Sequence, residues 1–334
     1  MRRLIGAAGL LALAGCNRVQ TMLDPAGDEA AGIHGVWTLM LWVCGFMYLL
    51  VIGFLVWAML RRRAARLGVE NPEPTAADTD LEKVLAGWVG LILVGLTVLV
   101  GATFLVDRAV AGGAPPGSQR IKITAEQFWW RVEYQDPDPS RSFETANELH
   151  LPVGKPVWIE LTSNDVIHSF WVPNLHGKKD LIPGRTNTIR LTPRKMGDFR
   201  GQCAEFCGLQ HAHMAFDVRV DSVGDFQRWK DRQLTPAPEP LDPWQQRGRA
   251  VFLGAACVMC HRIAGTDAGG RVGPDLTHVA SRKTLAAGTV PYSRGALSAW
   301  IDDPQGIKPG AHMPVTGLTP EDRDALVAYL DTLR

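Results

Sequence analysis

Between positions 201 and 214 the chain reads GQCAEFCGLQHAHM, which brings Cys203, Cys207, His211 and Met214 close together and puts Glu205 between the cysteines. Two thiolates, an imidazole and a thioether form a soft ligand set that favours copper and suits electron transfer. A mononuclear blue-copper centre uses one Cys with two His and a weak Met. The second Cys points instead to two metal ions that share two sulfur bridges. A more distant histidine must then complete the set, and His168 in NDVIHSFWVP is the best placed. Two plainer readings compete. The spacings also describe one face of a helix, and the cysteines could form a disulfide in an oxidising compartment. Against the helix, Gly201 and Gly208 interrupt the run, and MAFDVRV follows with strand-like alternation. Against the disulfide, His211 and Met214 would then have no reason for their spacing.

A second cluster lies further on, Cys257-Val258-Met259-Cys260-His261. C-x-x-C-H is the attachment signature of c-type haem: both thiols form thioethers and the histidine ligates iron. A redox or zinc C-x-x-C is the alternative, and the adjoining His and an exported location argue against it. GPDL at 273–276 and KPGAHMP at 308–314 complete a pattern that resembles class I cytochromes c. Outside the C-x-x-C-H run, Met313 is the only methionine of this region, which makes it the expected distal ligand. His312 is its competitor. His–Met ligation raises the reduction potential.

Two kinds of element must hold these clusters. From position 121 onward come short segments of alternating apolar residues separated by Pro, Asp and Gly: IKITAEQFWWRVEY, LHLPVGKPVWIELTS, HSFWVP, TNTIRLTP, GDFRGQC and AFDVRVDS. That rhythm predicts an all-β sandwich or barrel over 119–232. AGGAPPGS at 111–118 is a flexible junction before it. The proline-rich stretch 233–243 reads as a semi-rigid linker to a small domain at 244–334. In that domain ALSAWIDD and PEDRDALVAYLDTL read as helices, the second entered from Thr319 and Pro320.

The N-terminal third has a different character. Segments 36–60 and 84–106 carry no charge apart from their flanks and are long enough to cross a bilayer, giving a transmembrane hairpin over 34–110. Arg61, Arg62, Arg63 and Arg66 between them mark that loop as cytoplasmic and place both flanks on the outer side. Residues 1–15 read as a signal peptide, with Arg2 and Arg3 ahead of an apolar run. Leu13-Ala14-Gly15-Cys16 resembles a bacterial lipobox, so Cys16 is a lipidation candidate; a plain signal with a nearby cut and an uncleaved anchor are the alternatives. Cys44 inside the first span is a small apolar packer. At 334 residues the chain needs two or three domains, and its net charge of +1 gives no field for nucleic acid. Its six cysteines sort by location and suggest no structural disulfide framework, while eleven tryptophans, several in or beside apolar runs, suit a membrane protein.

The pattern C-x-E-x-C-x3-H-x2-M, preceded by D-V-x-H-S-F, resembles the dinuclear copper (CuA) domain of cytochrome c oxidase subunit II, and the likeness runs in order over about residues 30–222. The resemblance implies a cupredoxin-like Greek-key β-barrel in which the copper loop joins two late strands. It implies side-chain ligation by His168, Cys203, Cys207, His211 and Met214, and ligation by the backbone carbonyl of Glu205. The Glu205 carboxylate would reach a magnesium ion at the interface with subunit I. His176 and His213 fall outside the pattern and read as ordinary polar residues. QFWWRVEY resembles the family's aromatic patch, with Phe128 where the family has the Trp that docks soluble cytochrome c; Trp129 and Trp130 follow as electron-path aromatics. Glu82, otherwise a charge at a helix start, stands near the family's proton-path entrance, although Leu85 replaces the usual Trp nearby.

Copper domain and haem tail on one exported chain resemble the caa3-type oxidase subunit II: a multi-domain membrane protein of two-helix hairpin, β-barrel and small all-α class I cytochrome c domain. The implied role is the electron-input subunit of a haem-copper oxidase in the bacterial inner membrane, with both metal domains on the periplasmic side. Tethering raises the effective concentration of the cytochrome, which offsets the missing Trp. Implied partners are subunit I with its haem a/a3 and CuB, subunit III, and an external donor, either a cytochrome or a bc1-type complex. With no second haem motif and two spans, the chain does not reduce oxygen alone. Other readings are an input subunit of a nitric oxide or nitrous oxide reductase, a copper-free quinol oxidase subunit, and a copper-delivery lipoprotein.

Overall fold

A computed structural model of the 334-residue chain describes residues 19–67 and 78–334. The expected signal peptide and Cys16 lie outside the described residues. The fold divides into two compact units, residues 31–112 and the remainder.

The first unit consists of α1 (Asp28–Leu67), which starts just ahead of it, and α2 (Asp78–Val110). Their apolar stretches, Asp28–Leu60 and Glu82–Val110, are each long enough to cross a membrane. Both exceed the spans expected from the sequence. The helix gains its extra first turn at the positive end of the dipole, where Asp28 and Glu29 are favourable. Apolar side chains such as Trp42, Leu49 and Val100 stay exposed along the helices, as lipid solvation requires. Glu82 is exposed near the start of α2.

The second unit opens with ten strands: β1 (Gln119–Glu126), β2 (Trp129–Gln135), β3 (Phe143–Ala146), β4 (Glu148–Pro152), β5 (Val157–Ser163), β6 (His168–Trp171), β7 (Lys179–Leu181), β8 (Asn187–Leu191), β9 (Gly197–Cys203) and β10 (Ala215–Asp221). They form two five-stranded sheets in the orders β3-β2-β1-β5-β8 and β4-β10-β9-β6-β7. Within these sheets β1 runs parallel to β5 and β4 parallel to β10, so the chain crosses between layers instead of meandering. In β5, VWIELTS buries every second residue, the period of a strand with one face on the core. Trp130, Tyr134, Ile159, Leu161 and Phe170 fill the space between the sheets, and Cys203, Cys207 and Met214 belong to the same apolar cluster. The helix α3 (Val223–Gln233), capped by Ser222, closes one end with Phe226 and Trp229.

The remaining chain is a small helical domain of α4 (Pro243–Gly254), α5 (Cys257–Cys260), α6 (Arg294–Asp302), α7 (Pro304–Ile307) and α8 (Pro320–Leu330). As the sequence predicts, Thr319 caps α8 and Pro320 fills its first position, where a missing N–H does no harm. The helices α4 and α8 cross at Gly248, where a Cβ would come within 2.0 Å of the Ala325 carbonyl oxygen. One feature was not legible: a ribbon of β11 (Thr284–Leu285) and β12 (Val290–Pro291). Two residues per strand leave no period to read. The proline-rich linker lies on this domain, with the Ala237 N–H donating to the Ala264 carbonyl at 2.9 Å.

Candidate metal centres

The loop between β9 and β10 carries the first sulfur-rich cluster. It is neither a helix face nor a disulfide: Cys203 ends a strand, a turn and a short 3-10 helix (His211–His213) follow, and the two sulfurs stand 3.8 Å apart, unbridged. Gly201 lets the strand pass the Phe216 ring, since a Cβ there would lie 2.0 Å from it. Gly208 has φ of +126°, a conformation other residues rarely adopt, and lets the loop reverse beside Phe128.

Strand register supplies the distant histidine. In the pairing of β6 with β9, Phe170 lies opposite Cys203, so His168, on the same face as Phe170, comes level with the loop. Its Nδ1 lies 3.8 Å from Cys203 Sγ. On the other side, Cys207 Sγ is 3.7 Å from His211 Nδ1 and 3.8 Å from Met214 Sδ. The Glu205 carbonyl oxygen is 3.2 Å from Cys203 Sγ, while the Glu205 side chain is exposed. His168, Cys203 and Cys207 alone could hold a metal ion, their donor atoms lying within 4.8 Å of one another. All six residues singled out from the sequence therefore converge. Soft donors on both flanks of a sulfur pair, inside an apolar core, fit copper better than a hard cation.

The shared hydrogen bond with Cys207, helped by His168, pulls the Cys203 thiol down to about 3; the same coupling and burial push Cys207 upward. A metal ion held by both sulfurs would have to displace the protons of the thiols.

Asp165 was missed as a site residue. Its Oδ1 lies 2.8 Å from His168 Nε2, so it accepts the hydrogen bond from that N–H and leaves Nδ1 facing the sulfurs, the usual way an outer carboxylate orients a ligating imidazole. The signal was present as the Asp of D-V-x-H, three residues before the histidine. Burial alone would raise the Asp165 carboxyl, but hydrogen bonds from His168 and from the Val166 and Gln127 amides hold it below the usual range. The Gln127 side chain also donates to the Cys207 carbonyl at 2.6 Å.

The aromatic patch lies under this loop. Trp130 is buried, with its indole N–H 3.4 Å from the Met214 carbonyl. Phe128 is buried against Gly208, and half-buried Trp129 lies beneath the Arg131 guanidinium at 4.9 Å. His176 is buried and donates from Nδ1 to the Gly177 carbonyl, away from the cluster; His213 is exposed beside Gln210.

In the helical domain, Cys257 and Cys260 are half-buried, unbridged and one turn apart on α5. His261 follows, and its Nδ1–H donates to the Pro274 carbonyl at 2.7 Å, which fixes the tautomer and leaves Nε2 with a lone pair. Burial pulls its imidazole below the ordinary value, favouring the neutral form that a metal needs. A Cβ at Gly273 would stand 2.6 Å from the His261 ring, so GPDL forms a cradle that only glycine permits. This arrangement fits an iron ligand. Met313 is half-buried and its carbonyl accepts from Gln305, while His312 is exposed.

Segments 123–222 and 245–334 match the family models described as cytochrome c oxidase subunit II, periplasmic domain, and cytochrome c. Over nearly its whole length the chain is similar to curated proteins named cytochrome c oxidase subunit 2. It is 33% identical to the one from Alkalihalophilus pseudofirmus, covering 94% of this chain and 91% of that protein. Identity is 31% to the protein of Bacillus sp. strain PS3, over 80% and 79% of the two chains, and 29% to that of Bacillus subtilis, over 97% and 95%.

Proposed function

The chain belongs to the cytochrome c oxidase subunit II family, and from that premise we propose that it is the electron-input subunit of a bacterial haem-copper oxidase, with a dinuclear copper centre in its sandwich and a covalent c-type haem in its helical domain. The observation that carries this reading is the convergence of two thiols, two imidazoles, a thioether and a carbonyl on one loop and one neighbouring strand. When bound, copper and haem supply reversible one-electron couples, and the oxygen chemistry belongs to the partner subunit I.

The chain's own residues then have defined tasks. Cys203, Cys207, His168, His211 and Met214 would hold the copper through their side chains, and Glu205 through its backbone carbonyl. Asp165 and Gln127 hold ligands that the sandwich has already placed, so little rearrangement accompanies a change of charge. Burial of Cys203, Cys207 and Met214 in the apolar core excludes water. Cys257 and Cys260 offer the thioether sulfurs, with His261 as proximal ligand and Met313 as distal ligand. His312, being exposed, is the weaker choice. The exposed Glu205 carboxylate is free to meet magnesium at the face turned to subunit I. Glu82 near the start of α2 remains the proposed proton-path entrance, Cys16 the proposed lipid site, and the inner membrane the proposed location. Subunit III and a soluble cytochrome or bc1-type complex complete the proposed partners.

The rival readings each leave something without a purpose. A copper-free quinol oxidase subunit would not need the assembled sulfur pair, and a copper-delivery lipoprotein would not need the haem cradle. The test is copper content and spectroscopy of the purified complex. Three coppers per complex, two of them beyond the one in subunit I, a near-infrared band and an EPR signal from one electron shared by two equivalent coppers are expected; a single copper beyond that of subunit I or an oxidised thiol pair refutes the reading.

A further inference from the structure

The helical domain does not hang loosely from its linker. It is seated on the copper loop, within the same compact unit as the sandwich. At the centre of the contact is Lys308, a lysine with 2% of its surface exposed. Its Nζ lies 2.8 Å from each of three carbonyl oxygens, those of Phe128, His213 and Ala286. The first belongs to the turn under the copper loop and the second to the loop itself, while the third belongs to the ribbon turn of the helical domain. An ammonium has three N–H groups and no acceptor, so each carbonyl takes one.

The neighbouring contacts repeat this theme. The Ala215 N–H, at the exit of the copper loop, donates to the Ala287 carbonyl at 2.9 Å, and Gln210 Nε2 donates to the Pro309 carbonyl at 2.8 Å. Ala286 and Ala287 have φ of +52° and +58°, a left-handed conformation that is unfavourable for a residue with a Cβ. Such strain persists where the surroundings hold it, and here the strained residues present their carbonyls to Lys308 and Ala215. At the rim, Arg271 pairs with Glu144 at 2.9 Å and Thr284 donates to Asp217 at 2.6 Å.

We propose that Lys308 is a positioning residue for electron transfer within the chain, its ammonium locking the cytochrome domain onto the copper loop in one preset pose. This rests on the function proposed above and deepens it: the fused cytochrome is a docked donor, not one that diffuses on a tether. With both groups bound, the step it would position moves one electron, oxidising the haem by one equivalent and reducing the copper pair by one, with no bond made or broken. Lys308 sits five positions before Met313 and touches the turn at Phe128, so one side chain joins the haem segment to the patch under the copper loop. A linker supplies only concentration, whereas a buried clamp fixes distance and orientation.

The test uses the assembled oxidase carrying Lys308→Met, which keeps the length and removes every donor. Wild type and variant are compared for copper and haem absorption, for hydrogen exchange of the Ala215 amide, and for the rate of haem-to-copper electron transfer after flash reduction. The expected result is unchanged absorption, exchange at Ala215 faster by about tenfold or more, and transfer slowed by about tenfold and newly sensitive to viscosity, because three carbonyls lose their donor. Arg271→Ala, at the rim, is expected to change either rate by less than about threefold. Unchanged exchange and transfer in Lys308→Met overturn the proposal. If that variant fails to take up metal, Lys308→Gln is measured, and loss of metal from both makes Lys308 a folding residue and likewise overturns it. If wild type itself shows no transfer from haem to copper, the proposed function fails instead, and the exchange arm still decides whether Lys308 holds the domains together.

Discussion

The two metal-binding regions solve the same problem by opposite means. The haem segment is built locally: two sulfurs and an imidazole lie within one turn of helix and the residue after it, and the cradle at Gly273 and Pro274 follows shortly downstream. The copper loop supplies four side-chain donors and the Glu205 carbonyl locally, but its fifth side chain comes from β6 and its orienting carboxylate from the turn before that strand. Under the proposed function a covalent attachment would hold the haem by the bonds themselves. A site held by coordination alone needs its donors fixed by a core, and here three of them are part of that core. The difference teaches that the copper centre depends on the whole sandwich, whereas the haem centre depends on its motif and a few close contacts.

Breaking one site and sparing the other is the sharpest check. Cys203→Ser should produce the largest effect, loss of the near-infrared band and of the shared-electron EPR signal, while the haem spectrum is untouched; metal analysis and absorption of the same sample read both. Asp165→Ala should be next, lowering copper affinity by about 10–100-fold through a mis-set His168 ring. Chelator competition measures this, and an unchanged affinity would remove Asp165 from the site. Gly273→Ala reverses the test. Its Cβ meets the His261 ring, so the helical domain should lose about 1–3 kcal/mol by overpacking, seen as earlier thermal loss of haem absorbance with the copper band intact until the sandwich melts.

The smallest effect concerns a pair remote from both metals. Asp221 accepts from His150 at 2.8 Å, and His150 stacks on Trp229 of α3 at 4.1 Å. Burial alone would raise the Asp221 carboxyl, yet His150 and Arg219 hold it below the usual range. A depressed carboxyl contributes stability that is fully present above the unfolded value of about 3.9 and is lost as pH falls through the lower folded value. Asp221→Asn should therefore lower the melting temperature of the sandwich at neutral pH and converge on wild type in acid. Copper and haem spectra at neutral pH should not change, which marks Asp221 as part of the scaffold only.

Much of this was legible along the chain because it is local. Donor types and spacing in GQCAEFCGLQHAHM, the C-x-x-C-H run, the cap at Thr319 and the two apolar spans each declare themselves within a few turns of backbone. What lay out of reach was whatever depends on residues brought together by folding. Nothing in the run D-V-x-H places the Asp165 carboxylate on His168, and nothing in KPGAHMP places three carbonyls around Lys308; both follow from folding. The ribbon that carries one of those carbonyls is too short to leave a period.

The amino-acid order by itself determined which donors are present: soft sulfur and imidazole groups suited to copper, a C-x-x-C-H run that carries the proposed haem attachment, and two helices long and apolar enough to cross a membrane. Only the tertiary structure decided that His168 stands level with Cys203, that an outer carboxylate sets its ring, and that the second domain is pinned over the first site. The physical reason is one of range. Propensity and spacing act over a handful of bonds, whereas strand register and buried hydrogen bonds are settled by the packing of the whole sandwich.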